Sequence, residues 1–269
     1  MNRVFSKVFL MTTMVVALGA FALSACGHVE PEKEDQVDIL DLLHPNGQEV
    51  RGLSVESKAM GKTMKYNVWL PPKFDAEKSY PIMYLLHGAA DDQNAWLDKG
   101  DALRIAGRYV TTGGVPMIIV MPDAQMTYYL GSYETYFHEE LMPAVEARYK
   151  FSGKRAVAGL SMGGYGTLYH ALKYPAKFKY AYAMSPAVDV NTFTGLINAQ
   201  SDKKVFPLFT IEVGTEDTTV DNNAAKTVAD YMNGQGMTCE WIARTGIHYW
   251  NFWQECLPKA LKKAGESFK

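Results

Sequence analysis

Hydrophobic positions after residue 46 gather into two kinds of segment. Residues 63–70 (TMKYNVWL) alternate apolar with polar and stop at Pro71-Pro72, as a strand does where proline removes a ladder donor; residues 50–59 before them would complete a hairpin. Further runs at residues 81–86, 117–121, 155–160, 178–184, 207–213 and 238–243 are mostly continuous in apolar character. That is the pattern of strands covered on both faces of a parallel sheet. Between them, residues 101–109, 133–149, 162–173, 222–233 and 251–264 repeat with helical period. In residues 133–149, Phe137, Leu141, Val145 and Tyr149 share one face, and Pro143 predicts a kink or a split. Strand and helix alternating in this way predict an α/β fold, with a mostly parallel central sheet covered by helices on both faces. No repeat and no low-complexity stretch interrupts residues 46–269, which read as one domain.

The N-terminus reads differently. Arg3 and Lys7 are the only charges before residue 26, and the apolar run over residues 8–23 completes the pattern of an export signal spanning residues 1–25. The run is too short and too interrupted by threonine for a membrane span, which needs about 20 apolar residues. It ends in Leu23-Ser24-Ala25-Cys26, which resembles the lipobox of bacterial lipoproteins. The resemblance implies cleavage before Cys26 and a lipid on its thiol, hence a protein exported and held to a bacterial membrane by that anchor. A soluble secreted protein is the alternative. Glu30, Glu32, Glu34, Asp35 and Asp38 follow with almost no apolar periodicity, so residues 26–45 read as the lipidated cysteine and a solvated tether.

Composition narrows the classes of function. With 48% hydrophobic and 21% charged residues and only 3 Cys, the chain is neither disordered nor a disulfide scaffold. A net charge of −2 offers no basic footprint for phosphate, so nucleic acid is not an expected partner. Cys239 and Cys256 are expected as buried free thiols. The histidines are scattered without H-x-H or H-E-x-x-H spacing, and Gly113-Gly114 lacks the Lys-Ser/Thr of a phosphate loop, so the expected chemistry needs no metal and no cofactor.

That chemistry is nucleophilic. Gly159-Leu160-Ser161-Met162-Gly163 is a G-x-S-x-G between a predicted strand and a predicted helix, where a tight turn leaves no room for side chains beside the serine and exposes its hydroxyl. A serine hydroxyl is a weak nucleophile at neutral pH, so Ser161 requires a base and an orienting carboxylate later in the chain. His248 lies between the last strand and the last helix and is the candidate base. His170 is expected to face a neighbouring helix or solvent, His138 lies mid-helix, and His28 and His44 lie in or near the tether. For the carboxylate, Gly214-Thr215-Glu216-Asp217 follows the penultimate strand; Asp217 is preferred, with Glu216 its direct competitor and Asp221 a remoter one. An oxyanion needs backbone donors, and the amides of Met162 and of Ala89, the latter after His87-Gly88, are the expected pair. His87 itself reads as a brace of that loop rather than a base.

Residues 66–72 (YNVWLPP), Tyr84-Leu85-Leu86-His87-Gly88, Ile119-Val120-Met121-Pro122-Asp123, the serine motif and His248-Tyr249-Trp250 together resemble the esterase D-like branch of the α/β-hydrolases. That branch includes tributyrin esterases, S-formylglutathione hydrolases, and the feruloyl and acetylxylan esterases of carbohydrate esterase family one. The resemblance spans about residues 60–255 and implies a triad of Ser161, Asp217 and His248 in an α/β-hydrolase fold. It implies a serine carboxylic-ester hydrolase working through an acyl-enzyme. The export signal turns the reading from S-formylglutathione, a cytosolic substrate, toward acyl or feruloyl esters of plant polysaccharide or other short-chain esters. Trp96, Tyr128, Tyr129, Tyr249 and Trp250 are candidates to stack on a phenolic acid or sugar, the alternative being that they pack the loops together. The stretch over residues 189–204 is short for a cap domain, which predicts an open, shallow site. Two other functions remain open at this point: a lipoprotein that binds glycan without turnover, and an acyltransferase.

Overall fold

The computed structural model describes residues 44–269. The export signal expected over residues 1–25, the lipidated Cys26 and the tether as far as residue 43 lie outside the described residues. One sheet runs through the domain: β1 (Gln48–Ser57), β2 (Lys62–Leu70), β3 (Tyr80–Leu86), β4 (Ile118–Pro122), β5 (Phe151–Leu160), β6 (Tyr180–Met184), β7 (Leu208–Gly214) and β8 (Cys239–Arg244). Their order is β1-β2-β4-β3-β5-β6-β7-β8. β2 pairs antiparallel with both β1 and β4, and every other pairing is parallel. The parallel strands therefore end at one common edge of the sheet, and their following loops meet there.

Alternation along each strand supplies two cores. Ile82, Tyr84 and Leu86 point to one face while Met83 and Leu85 point to the other. The helices are α1 (Ala95–Asp98), α2 (Ala102–Thr111), α3 (Ser132–Thr135), α4 (Met142–Arg148), α5 (Met162–Lys173), α6 (Val190–Ala199), α7 (Asn222–Gly234) and α8 (Trp250–Ser267). Leu168 of α5, Phe193 of α6 and Val228 of α7 pack on the first face. Ile105 of α2 and Leu257 and Leu261 of α8 pack on the second. Cys239 lies in the first core and Cys256 in the second, both buried and unbonded, with the sheet between them.

Pro143 splits its segment. It has no N–H for the carbonyl of Glu139, and the chain responds with a π-helical turn over Tyr136–Leu141 before α4 begins with Pro143 in its first turn. Two helices were not anticipated. α1 is too short to show a period, whereas α6 forms because the Asp189 side chain accepts from the Thr192 amide at 2.9 Å and Phe193 and Ile197 bury one face. α6 packs against α5 and α7.

His170 does not face solvent. It is fully buried in the first face's helical layer, its Nδ1 3.0 Å from Nε2 of His138, and the Tyr174 ring lies 4.0 Å from the His138 ring. Burial pushes His170 down to about 3 and, reinforced by His170 and Lys177 nearby, pushes His138 down to about 2. Unfolded histidine protonates near pH ~6.5, so below that point the unfolded chain binds more protons than the folded one. Stability must fall as pH is lowered, by up to about 1.4 kcal/mol per pH unit for each imidazole. Urea unfolding from about pH 7 to about pH 5 should show a steeper loss for the unaltered chain than for His138→Gln/His170→Gln; parallel slopes would mean that the pair takes up protons while folded.

Candidate active site

Ser161 sits between β5 and α5 with φ 53° and ψ −115°, a strained conformation for a residue with a side chain. Its amide donates to the Met184 carbonyl of β6 at 2.9 Å, and its carbonyl opens α5 by accepting from Tyr165 at 3.0 Å. The flanking glycines provide space rather than unusual dihedrals. A Cβ on Gly163 would lie 2.5 Å from the carbonyl oxygens of both Leu86 and His87, and one on Gly159 would lie 2.5 Å from the Gly163 carbonyl oxygen. Only bare backbone lets α5 begin this close to the ends of β3 and β5. Positive φ recurs in non-glycine residues along this edge, at Ala90, Gln125, Tyr128, Tyr129 and Ser185.

The loops after β7 and β8 carry the ladder past the strand ends. Thr215 N–H donates to the Arg244 carbonyl at 2.8 Å and Glu216 N–H to the Gly246 carbonyl at 3.0 Å. Next comes a side-chain rung, in which Nδ1 of His248 lies 2.6 Å from Oδ2 of Asp217. Asp217 is buried, and its other oxygen accepts from the Thr219 amide at 2.9 Å. A carboxylate already receiving amide donors is an acceptor, so the proton belongs on Nδ1 and the lone pair of Nε2 is left free. His248 sits at the apex of a three-residue turn, Tyr249 N–H donating to Ile247 O at 2.8 Å, and its ring packs edge-on against Trp253 at 4.9 Å. Glu216 is exposed, and Asp221 caps α7 by accepting from the Asn223 and Ala224 amides, so both competitors of Asp217 are otherwise engaged or turned outward.

At the end of β3, the Ala124 amide donates to Nε2 of His87 at 2.9 Å, which puts the proton of this ring on Nδ1, 2.6 Å from the Gly88 carbonyl. Both nitrogens are used and burial lowers the imidazole's affinity for a proton, so His87 braces the loop. Two of the aromatic candidates belong to the same brace. Trp96 and Tyr129 are buried and cannot present a face to a ligand: Trp96 Nε1 donates to Leu86 O at 3.0 Å, and Tyr129 OH donates to His87 O at 2.9 Å. They fix the strand end from which Ala89 emerges. The Met162 amide, first in α5, has no carbonyl one turn back within its helix. Trp250 is half-buried between Trp96 and Trp253, while Tyr128 and Tyr249 remain exposed at 41% and 61%.

Some contributors carry no motif. Trp253 backs the His248 ring, and exposed Met126 accepts from the Ala90 amide through its sulfur at 3.2 Å. Glu212, buried in β7, receives hydrogen bonds from Tyr182, Arg244 and Lys259. Burial by itself would raise its pKa, but Lys259, Tyr182 and Arg244 outweigh that and hold it below the usual carboxylate range. Arg244 also reaches Glu255 and the Phe252 carbonyl, tying the end of β8 to the first turns of α8 on either side of His248. The serine, the oriented imidazole and the amide donors are the parts needed for acyl transfer.

Comparison with known proteins places the chain in a family. The Esterase family model matches residues 57–264. The chain belongs to this esterase family. Among its relatives, an esterase of Mycobacterium tuberculosis is 33% identical over 156 residues, 53% of this chain and 33% of that protein. The endo-1,4-beta-xylanase/feruloyl esterase of Xylanibacter ruminicola is 27% identical over 238 residues, 81% of this chain and 31% of that protein. The chain thus spans about a third of the length of these two curated relatives. A solved ferulic acid esterase superposes with a TM-score of 0.73 at 27% identity, covering 82% of this chain and 99% of that one.

Two substitutions test the framework. Gly163→Ala should lower stability by about 2–3 kcal/mol or more in urea unfolding, because its methyl meets backbone oxygens rather than a movable side chain; a neutral result would contradict the close approach. Glu212→Ala should cost about 3 kcal/mol by the same measurement, since it strands the Arg244 and Lys259 charges around a buried gap.

Proposed function

We propose that the chain hydrolyses carboxylic esters through an acyl-enzyme on Ser161. The observation that carries this reading is the Asp217–His248 hydrogen bond at the sheet edge where Ser161 is held in its strained turn. Nε2 of His248 takes the hydroxyl proton as Oγ of Ser161 bonds to the ester carbonyl carbon, and Asp217 stabilises the imidazolium without being protonated. The carbonyl oxygen gains the negative charge, and the amides of Met162 and Ala89 are the donors proposed to receive it. Collapse breaks the bond to the alcohol, which leaves with the proton from His248. Water then enters, gives its proton to His248 and repeats the sequence to release the acid.

The proposed acyl group is a phenolic acid such as ferulate. The names of the Xylanibacter relative and of the superposed structure both support it. So does the apolar rim of Tyr128, Tyr249, Met126 and Ile247, all exposed in loops at the active edge. Ser161 is half-exposed, and α6 packs on α5 and α7, an open arrangement suited to an acyl group on a bulky polymer such as plant polysaccharide. The export pattern of residues 1–25 and the lipobox-like residues ending in Cys26 support display on the outer side of a bacterial membrane. Glycan binding without turnover is not favoured, because nucleophile, base and acid are all present.

Hydrolysis of acetyl, butyryl and feruloyl esters should be measured side by side. Ser161→Ala should reduce kcat by at least about a thousandfold, and Asp217→Asn by about ten-thousandfold through the wrong imidazole tautomer. A Ser161→Ala protein as active as the unaltered one would overturn the mechanism. Preference for acetyl and butyryl over feruloyl esters would overturn the phenolic reading alone.

A further inference from the structure

The loop after β3, which carries the Ala89 amide, is held very differently along its length. Up to Gly88 it is pinned by buried groups. His87 accepts from the Ala124 amide at Nε2 and from the Tyr129 hydroxyl at its carbonyl, each at 2.9 Å. Gly88 is pressed against the turn of the nucleophile: a Cβ there would lie 2.6 Å from Cδ1 of Leu160 and 3.6 Å from Cβ of Ser161. Ala89 and Ala90 then emerge into solvent. Beyond them the chain is fixed again, because the Ala95 amide donates to the Asp92 carbonyl at 3.2 Å and Lys99 pairs with Asp91.

Ala90, between these two fixed points, is strained. Its φ of 62° lies in the left-handed region, which glycine enters without cost and alanine does not. Its amide donates to Sδ of Met126 at 3.2 Å. The loop after β4 is braced on both sides of that sulfur: the Gln125 amide donates to Oδ1 of Asp123 at 2.8 Å, and Oγ1 of Thr127 donates to the Ala124 carbonyl at 2.8 Å and accepts from the Tyr129 amide at 3.2 Å. Met126 itself is 59% exposed, so its place in the loop is not that of a core side chain. One loop thus grips the other at three points, twice at His87 through buried groups and once at Ala90 through an exposed thioether.

We propose that Met126 is a positioning residue of the oxyanion hole: its sulfur holds Ala90 in the left-handed conformation, and Ala90 in turn keeps the Ala89 amide where the oxyanion forms. The proposal rests on the acyl-enzyme reading of Ser161 given above. A thioether is a weak acceptor, but the strain at Ala90 gives the bond its importance. Without it Ala90 returns toward negative φ. Gly88 is fixed on one side and Asp92 on the other, so Ala89 has to take up the rotation, and a donor turned out of line loses much of its hold on the developing charge.

Single-turnover hydrolysis of 4-nitrophenyl acetate and 4-nitrophenyl ferulate, with enzyme in excess, separates the acylation rate from binding. Met126→Leu conserves volume at an exposed position and removes the acceptor, so the fold should be retained, as an unchanged urea midpoint would verify. Acylation should slow by about tenfold for both esters, with half-saturation little altered. The acetyl group is the control, because it is too short to be a partner of the apolar rim. In an Ala90→Gly background, where the left-handed conformation costs nothing, the same substitution should slow acylation by less than about threefold. Unchanged acylation in Met126→Leu would overturn the proposal. A loss confined to the feruloyl ester would overturn it too, by making Met126 a contact for the acyl group alone, and an equal loss with and without Ala90→Gly would overturn the part assigned to strain. Full activity in Ser161→Ala would instead sink the acyl-enzyme reading itself, and this proposal with it.

Discussion

Helix α5 starts closer to two strand ends than a methyl group would permit, and the rest of the active edge is arranged around that approach. Gly163 faces the last carbonyls of β3, and Gly159 faces Gly163. The same Leu86 and His87 carbonyls accept from Trp96 and Tyr129. One pair of backbone oxygens thus limits the helix from one side and anchors two aromatic braces on the other. The strain that remains falls on Ser161, whose positive φ turns its side chain out of the helix path. A looser contact would let the serine relax and would separate it from the loop bearing Ala89.

The general base is placed by a different device. Parallel strands β7 and β8 end together, and their pairing continues through two loop hydrogen bonds into the Asp217–His248 contact. Beneath it, Glu212 gathers Arg244 from β8 and Lys259 from α8, so strand and helix are held together on either side of the histidine loop. Hydrogen bonds to a charged group are stronger and more directional than those between neutral ones, which suits a loop that must place one ring nitrogen.

The parallel strands were legible because apolar runs mark burial on both faces, and the serine motif was legible because its glycines answer to space. The aromatic residues were not. Tyr128 and Tyr129 are neighbours of the same type with successive positive φ values, yet one is exposed and the other wholly buried. What sets Tyr129 apart is its hydroxyl bond to the His87 carbonyl, a partner distant in sequence that composition does not reveal. Glu212 was hidden for a related reason: it sits inside an apolar run, and its partners Tyr182, Arg244 and Lys259 are distant in sequence. Likewise, Pro143 announced a broken helix, but the π turn that absorbs the break depends on how the segment packs.

The sheet also partitions the sulfur chemistry of the domain. Cys239, on the edge strand β8, and Cys256, on α8, lie in separate cores and stand unbonded. Both are buried and neither offers an accessible thiolate, so the described domain holds its shape without covalent cross-links and needs no disulfide isomerase to reach it. Its folded state is therefore indifferent to the redox poise of the compartment, and transfer between a reducing and an oxidising medium changes no bond within it.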